Sequence, residues 1–233
     1  MSDASYNARR GELETYFDRT AADAWKTLTS DAPVGRIRAT VRAGRDTMRD
    51  TLLSWLPADM HGLRLLDAGC GTGSLATLAA QRGAQVVAID VSPTLVGLAQ
   101  ERSSAAFGGG AIDFQVGDML DERLGEFDYV VAMDSLIHYE GADITNALAK
   151  LAQRTSGAML FTVAPRTPAL TLMHAAGKLF PRGNKSPAIV PIASRDLTAR
   201  LNAHNQLSGW TIKRERLVSS GFYKSLAMEL SRS

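Results

Sequence analysis

From Leu63 onward, short apolar runs alternate with helically spaced stretches, and glycine or proline marks the joints. Leu63 to Asp67 is an apolar run ending in an acid, the pattern of a buried parallel strand. Gly69-Cys-Gly-Thr-Gly73 reads as a turn, and Leu75, Leu78 and Ala79 give a helix from Ser74 to Arg82 that Gly83 stops. Gln85 to Asp90 is a second such strand, after which Ser92 and Pro93 open a helix as N-cap and first-turn proline. Ile112, Phe114 and Val116 alternate as a third strand ending at Gly117-Asp118. Phe127 to Met133 is a fourth strand, Asp143 to Arg154 a helix and Met159 to Val163 a fifth strand. This order predicts a doubly wound α/β sheet with right-handed crossovers. Ser194 then caps a helix, and the alternating runs from Trp210 to Val218 and Phe222 to Leu230 are separated only by Ser219-Ser-Gly221. So short a link makes a hairpin and not a parallel crossover, so the sheet should finish antiparallel.

Two segments fall outside this core. Residues 1–60 are helical in pattern and form an arm or lid on a domain spanning 61–233. Residues 165–192 form a Pro/Gly-punctuated insertion after the fifth strand, where Leu170, Leu172, Met173, Leu179 and Phe180 stand beside Lys178, Arg182 and Lys185. Ligands of open α/β sheets sit beyond the carboxyl ends of the strands, so both segments are candidates to cover that crevice. The insertion also reads as a variable surface loop. Its mixture of apolar and basic residues suits a flat apolar ligand with anionic tails, or peripheral membrane contact.

Composition narrows the class. Lys plus Arg (26) against Asp plus Glu (24) leaves +2, which does not point to nucleic acid as a partner. The single cysteine, Cys70, leaves no internal disulfide framework and no Cys-rich zinc site. His61, His174 and His204 show no metal-ligand spacing. No apolar run approaches the ~20 residues of a membrane span, and Met1 to Gly11 is too polar for a secretory signal. The expectation is a soluble, cytoplasmic protein with no bound metal.

The richest chemistry lies in Asp67-Ala-Gly-Cys-Gly-Thr-Gly73. Its glycines allow a tight turn and a close approach of backbone to ligand. The spacing is G-x-G-x-G, not the dinucleotide G-x-G-x-x-G, and an acid stands two residues before the first glycine. That acid would repel a pyrophosphate and suits an ammonium or sulfonium ligand. Asp90 ends the next strand, 23 residues after Asp67, where a carboxylate would reach both ribose hydroxyls. Asp118 ends the third strand, within reach of an adenine amino group. Three strand-terminal acids around this loop fit S-adenosylmethionine better than a dinucleotide.

These motifs resemble those of the class I S-adenosylmethionine-dependent methyltransferases, which implies a seven-stranded sheet in the order 3-2-1-4-5-7-6 with the last strand antiparallel. Over nearly the whole chain the sequence more narrowly resembles the magnesium-protoporphyrin IX O-methyltransferases of (bacterio)chlorophyll biosynthesis. The stretches that carry this are Tyr16-Phe-Asp-Arg-Thr20 with Trp25, Arg42-Ala-Gly-Arg-Asp46, Asp67 to Leu75, Met133-Asp-Ser-Leu-Ile-His-Tyr139 and Gly221-Phe-Tyr-Lys-Ser225. Thr29 stands where some relatives carry tyrosine, so a tyrosine role there does not transfer. The resemblance implies methyl esterification of one propionate of magnesium protoporphyrin IX. It implies a cofactor site of Tyr16, Asp67, Gly69, Cys70, Gly71, Gly73, Asp90, Val91, Ser92, Asp118, Met119 and Asp134. A magnesium chelatase subunit as substrate donor, and peripheral contact with a membrane, belong to the same expectation.

A propionate has a pKa near that of glutamate, ~4.3, and is already ionised at neutral pH, so alignment and desolvation matter more than a strong base. His138, in a polar cluster with Asp134, Ser135 and Tyr139, is expected to orient the propionate and not to take its proton. A histidine packing on its neighbours would read the same way. Tyr16 and Phe17 could cover the cofactor or serve only as core. Arg38, Arg42, Arg45 and Arg49 fall at spacings of 4, 3 and 4 on one helical face, either solvated or turned toward propionates, an acidic partner or a membrane. The competing functions are methylation of another small molecule such as a quinone precursor, a non-catalytic cofactor-binding partner protein, and a nicotinamide-dependent oxidoreductase. The last is disfavoured by Asp67 and the hairpin.

Overall fold

The computed structural model of the chain describes residues 3–19, 35–103, 107–166 and 188–232. Trp25, Thr29, His174 and the apolar and basic residues named within the insertion lie outside them. Two helices come first, α1 (Asp3–Arg19) and α2 (Arg36–Ser54). Alternating elements follow: β1 (Arg64–Ala68), α3 (Ser74–Gln81), β2 (Gln85–Asp90), α4 (Pro93–Arg102), β3 (Ala111–Val116) and β4 (Phe127–Ala132). The chain closes with α5 (Gly141–Ala152), β5 (Thr155–Val163), α6 (Ser194–Ala203), β6 (Trp210–Ser220) and β7 (Tyr223–Arg232).

The seven strands take the order β3-β2-β1-β4-β5-β7-β6. β1 to β5 pair in parallel, and β7 runs antiparallel to both β5 and β6. The hairpin turns on Gly221-Phe222, with Ser220 opposite Tyr223 and Gly221 at a φ of 55° that glycine adopts without penalty. β5 starts at Thr155, four residues before its apolar run. The polar start is held by Ser156 Oγ donating to Asp128 and Thr155 Oγ1 to the Leu151 carbonyl, so hydrogen bonding extends a strand that hydrophobicity does not mark.

The central strands are buried on both faces, as their apolar runs require. Side chains at Leu66, Val130, Met159 and Phe161 pack with α5, α6 and α1. Their neighbours Leu65, Val131 and Leu160 pack with α2 and α3 on the other side. The two N-terminal helices are attached differently. α2 is built into the core through Met48, Leu52 and Leu53. Its Gly44 lies against the Tyr223 ring, and a Cβ there would come within 2.8 Å of that side chain. α1 contributes only Tyr6, Leu13 and Phe17, a narrow stripe at spacings of 7 and 4.

Candidate active site

A cavity of about 350 Å³ opens beyond the carboxyl ends of β1, β2 and β4, within the roughly 300–1,000 Å³ typical of small-molecule sites. Gly69 and Gly71 of the glycine loop line it, with φ of 85° and 53°. A Cβ on Gly71 would meet nothing within 4 Å, so the loop leaves a bare edge toward the space, whereas one on Gly69 would collide with Ser135. Asp67 is 2% exposed and its Oδ2 has no partner. Burial, with the Asp90 charge beside it, pushes its pKa up to about 7 against a hydrogen bond from the Ala76 amide. Asp90 also lines the cavity, and it accepts from the Gly71 amide at 2.9 Å and the Ser92 amide at 3.0 Å. Cys70, Val91, Gly117 and Met119 complete this side. Among the described residues two of the buried polar atoms left without a partner, Asp67 Oδ2 and Ser135 Oγ, belong to residues of this lining. Unsatisfied buried groups of this kind mark a place where a polar ligand completes the structure.

Four residues expected at the cofactor do not line the cavity. Gly73 adopts a φ of 76° as the N-cap of α3, and a Cβ there would meet Ala99 and Phe114, so its role is backbone geometry. Ser92 is fully buried and caps α4, accepting from the Leu95 amide. Tyr16 meets Phe17 edge-on at 5.2 Å between ring centroids, and it is Tyr6, Leu13 and Phe17 that face the cavity. Asp118 is turned to α1: its Oδ1 accepts from the Tyr6 hydroxyl at 2.8 Å and the Leu120 amide at 2.9 Å, and Arg10 lies 3.3 Å from Oδ2.

These bonds explain how a weakly apolar helix is held. Tyr6 stacks on Tyr139, Ser5 donates to Asp143 at 2.7 Å, and the Thr94 hydroxyl donates to Asp18 at 2.6 Å. Burial, with Tyr139 and Asp118 beside it, raises the Tyr6 pKa, so the phenol stays a donor. A hydrogen bond to a charged group is worth about 1.5–3 kcal/mol. Tyr6→Phe should therefore leave the ring stack but speed amide hydrogen exchange in α1 about tenfold or more, with α2 unaffected. Unchanged exchange in α1 would show that apolar contact alone holds it.

The side of the cavity beyond β4 is built by Met133, Asp134, Ser135, His138 and Tyr139, where the chain leaves the strand through a short 3-10 turn at Leu136–His138. His138 is buried, its Nδ1 lies 3.3 Å from the Ala188 carbonyl, and Phe17 meets its ring edge-on. A carbonyl only accepts, so Nδ1 carries the ring proton and Nε2 is the second nitrogen. Burial lowers the ring's pKa, opposed by the Ala188 bond and the Asp134 charge, so the free imidazole is neutral at pH 7. Asp134, expected at the cofactor, lines the cavity, but its carboxylate is held by protein. Arg45 Nη1 lies 3.0 Å from Oδ2, and the Tyr223 hydroxyl donates to Oδ1 at 3.0 Å. The Thr162 and Ser225 hydroxyls reach Oδ1 at 3.3 and 3.4 Å. Arg42, Arg45 and Arg49 all line the cavity, and Arg38 is exposed.

Comparison with known proteins decides the family. A general "Methyltransferase domain" profile matches residues 65–156, and the profile described as "Magnesium-protoporphyrin IX methyltransferase C-terminus" matches residues 132–232. The magnesium-protoporphyrin O-methyltransferase of Rhodobacter capsulatus is 48% identical over 97% of this chain and 98% of its own. The chain belongs to the magnesium-protoporphyrin O-methyltransferases. A crystal structure of magnesium protoporphyrin IX methyltransferase from Synechocystis with bound S-adenosylhomocysteine superposes with a TM-score of 0.82 at 30% identity, covering 96% of this chain and 99% of that one. A ubiquinone biosynthesis O-methyltransferase of Xanthomonas oryzae is 33% identical over 77% of this chain and 74% of its own.

For a magnesium-protoporphyrin O-methyltransferase the methyl donor is S-adenosylmethionine, and the residues present fit it. Asp67 with its open oxygen, the bare Gly71 edge and Asp90 suit a cationic nucleoside. Three of the five stretches that marked the family in sequence meet at one point in space: Arg45 from the second, Asp134 from the fourth and Tyr223 from the last share one hydrogen-bond cluster. The sequence reading missed Tyr6 as a wall of the site. Its signal is the stripe Tyr6, Leu13 and Phe17 on one face of α1, broken by Arg10, which turns to Asp118.

Proposed function

We infer that this chain transfers a methyl group from S-adenosylmethionine to a propionate of magnesium protoporphyrin IX, giving the monomethyl ester. The supporting observation is the union, in one cavity, of Asp67 with its unpartnered oxygen and His138 in the turn after β4. Bound beside Asp67, Asp90 and the glycine loop, the donor supplies an electrophilic methyl on a sulfonium sulfur. The rest is the work of this chain. Asp67 pairs with the cationic amino-acid end, and Asp90 accepts from the ribose while its backbone bonds fix the loop. Tyr6, Leu13 and Phe17 exclude water from above, which removes the hydration that makes a carboxylate a poor nucleophile. His138 draws a proton onto Nε2 as the anionic propionate docks, because the carboxylate's attraction opposes the burial that keeps the ring neutral. Nε2–H then donates to one propionate oxygen and leaves the other aimed at the methyl carbon.

Incubation with S-adenosylmethionine and either magnesium protoporphyrin IX or a catechol quinone precursor, read by mass, tests the acceptor. A methyl ester of the porphyrin and no methylated catechol is expected. Methylated catechol alone would replace this reading with that of the ubiquinone relatives. Cytoplasmic action, with the porphyrin handed over by a magnesium chelatase subunit or at a membrane surface, is part of the same proposal. Its support is the acceptor's chemistry, an apolar macrocycle of poor solubility. No described helix is long and apolar enough to cross a membrane.

A further inference from the structure

Protoporphyrin IX carries two propionates, and esterifying only one requires the protein to distinguish the reacting carboxylate from its neighbour. Resting on the methyl-transfer reading above, we propose that Arg45 binds the carboxylate of the propionate that does not react, and so restricts the enzyme to the diacid.

The arginines of the cavity lining all come from one face of α2, and Arg45 and Arg49 are turned by different partners. Arg49 Nη1 donates to Ser74 Oγ at 3.0 Å, which sets it over the start of α3 at the donor's end of the glycine loop. Arg45, one turn earlier, is drawn the other way by Asp134, into the loop that carries His138. The side chain of Asp134 is 7% exposed and that of Arg45 is 23% exposed, so the pair stands in a shielded place where charge counts for more than in water.

The protein invests in this placement. Asp134 holds a φ of 55°, the left-handed region that side-chain-bearing residues seldom occupy. Its amide donates to Thr162 Oγ1 at 2.7 Å, and its carboxylate collects Tyr223, Ser225 and Thr162 besides Arg45. A carboxylate so fully engaged by protein is a positioning residue, and what it positions is a guanidinium at the cavity wall. Arginine presents five donors in a planar fork, so one nitrogen can serve Asp134 while the fork also meets a carboxylate of the ligand. His138 and Arg45 line the same cavity with Asp134, so the two propionates of one acceptor can meet them separately. Once the monoester forms, rebinding it in the reversed sense would place a neutral ester against Arg45, so a second methylation should be resisted.

The test compares kcat/KM for magnesium protoporphyrin IX with that for its mono-amide, one propionate turned to a neutral carboxamide, using the isomer that is still methylated. Wild type should favour the diacid by about 10- to 100-fold, the worth of one charge-assisted hydrogen bond. Arg45→Lys keeps a cation for Asp134 but has no second arm, and it should bring the two acceptors within about threefold of each other. Affinity for S-adenosylhomocysteine should stay within about threefold of wild type. Arg45→Met should abolish the preference as well. A preference that survives Arg45→Lys would overturn the proposal, as would a loss of S-adenosylhomocysteine affinity matching the loss of activity, which would assign Arg45 to the donor's own carboxylate. Ester from neither acceptor in wild type would instead sink the methyl-transfer reading and this proposal with it.

Discussion

His138→Ala should lower kcat by about 100- to 1,000-fold, the usual worth of one preorganised hydrogen-bond donor, and leave S-adenosylhomocysteine affinity within about threefold. The separation follows from geometry: the ring stands beyond β4, and Asp90 stands beyond β2, on the far side of β1. Truncating a buried ring also opens a hole, so His138→Asn is the sharper variant. Its amide can still donate to the Ala188 carbonyl as Nδ1 does, but nothing replaces Nε2. If the ring only tied the chain to Ala188, Asn would restore turnover; if Nε2 meets the propionate, Asn should fail as Ala does. Calorimetry in buffers of different ionisation heat gives an independent signature. Burial keeps the free ring neutral at pH 7.5, so acceptor binding to wild type should take up as much as one proton, and binding to His138→Asn none.

The strands, the closing hairpin and the glycine loop were legible because they rest on local signals: apolar runs ending in acids, closely spaced glycines, and a link too short for a crossover; the order of the strands across the sheet was implied only by the family resemblance. Asp67, Asp90 and Gly71 stand where those signals placed them. The departures are side chains whose direction depends on distant segments. Asp118 does end its strand, yet it faces Tyr6, whose position more than a hundred residues earlier no local pattern reveals. Asp134 was legible as polar and near the site, but its engagement with Arg45 and Tyr223 joins three stretches of chain. The arginine face on α2 was visible as a spacing of 4, 3 and 4, and only tertiary packing decided that Arg42, Arg45 and Arg49 line the cavity. Tyr16 and Phe17 are adjacent on a helix, so they point about 100° apart, and one of the two had to miss the site.

Asp67→Asn should weaken S-adenosylhomocysteine binding by about 10- to 100-fold at pH 7.5, the worth of a hydrogen bond to a charged group, and change its pH dependence. The wild-type carboxyl titrates near pH 7 because it is buried beside Asp90 with one oxygen unpartnered. Only its ionised form can pair with the donor's ammonium. Affinity should therefore fall tenfold per unit as pH drops below 7, and fall again at alkaline pH as the ligand's α-amino group loses its proton. The acid limb should vanish in Asp67→Asn and the alkaline limb should flatten, since the ammonium has lost its partner. Stability follows the opposite sign. The folded protein holds a proton on Asp67 that the unfolded chain releases near pH 3.9, so this group favours folding most below that pH and its contribution is lost as pH rises through 7. Relative to Asp67→Asn, the ligand-free wild type should melt lower at pH 8 than at pH 5, and saturating S-adenosylhomocysteine should recover the difference, because the bound ammonium supplies the charge that the cavity otherwise lacks. Parallel melting curves for the two proteins from pH 5 to pH 8 would show that Asp67 ionises like any surface acid and would remove it from donor recognition.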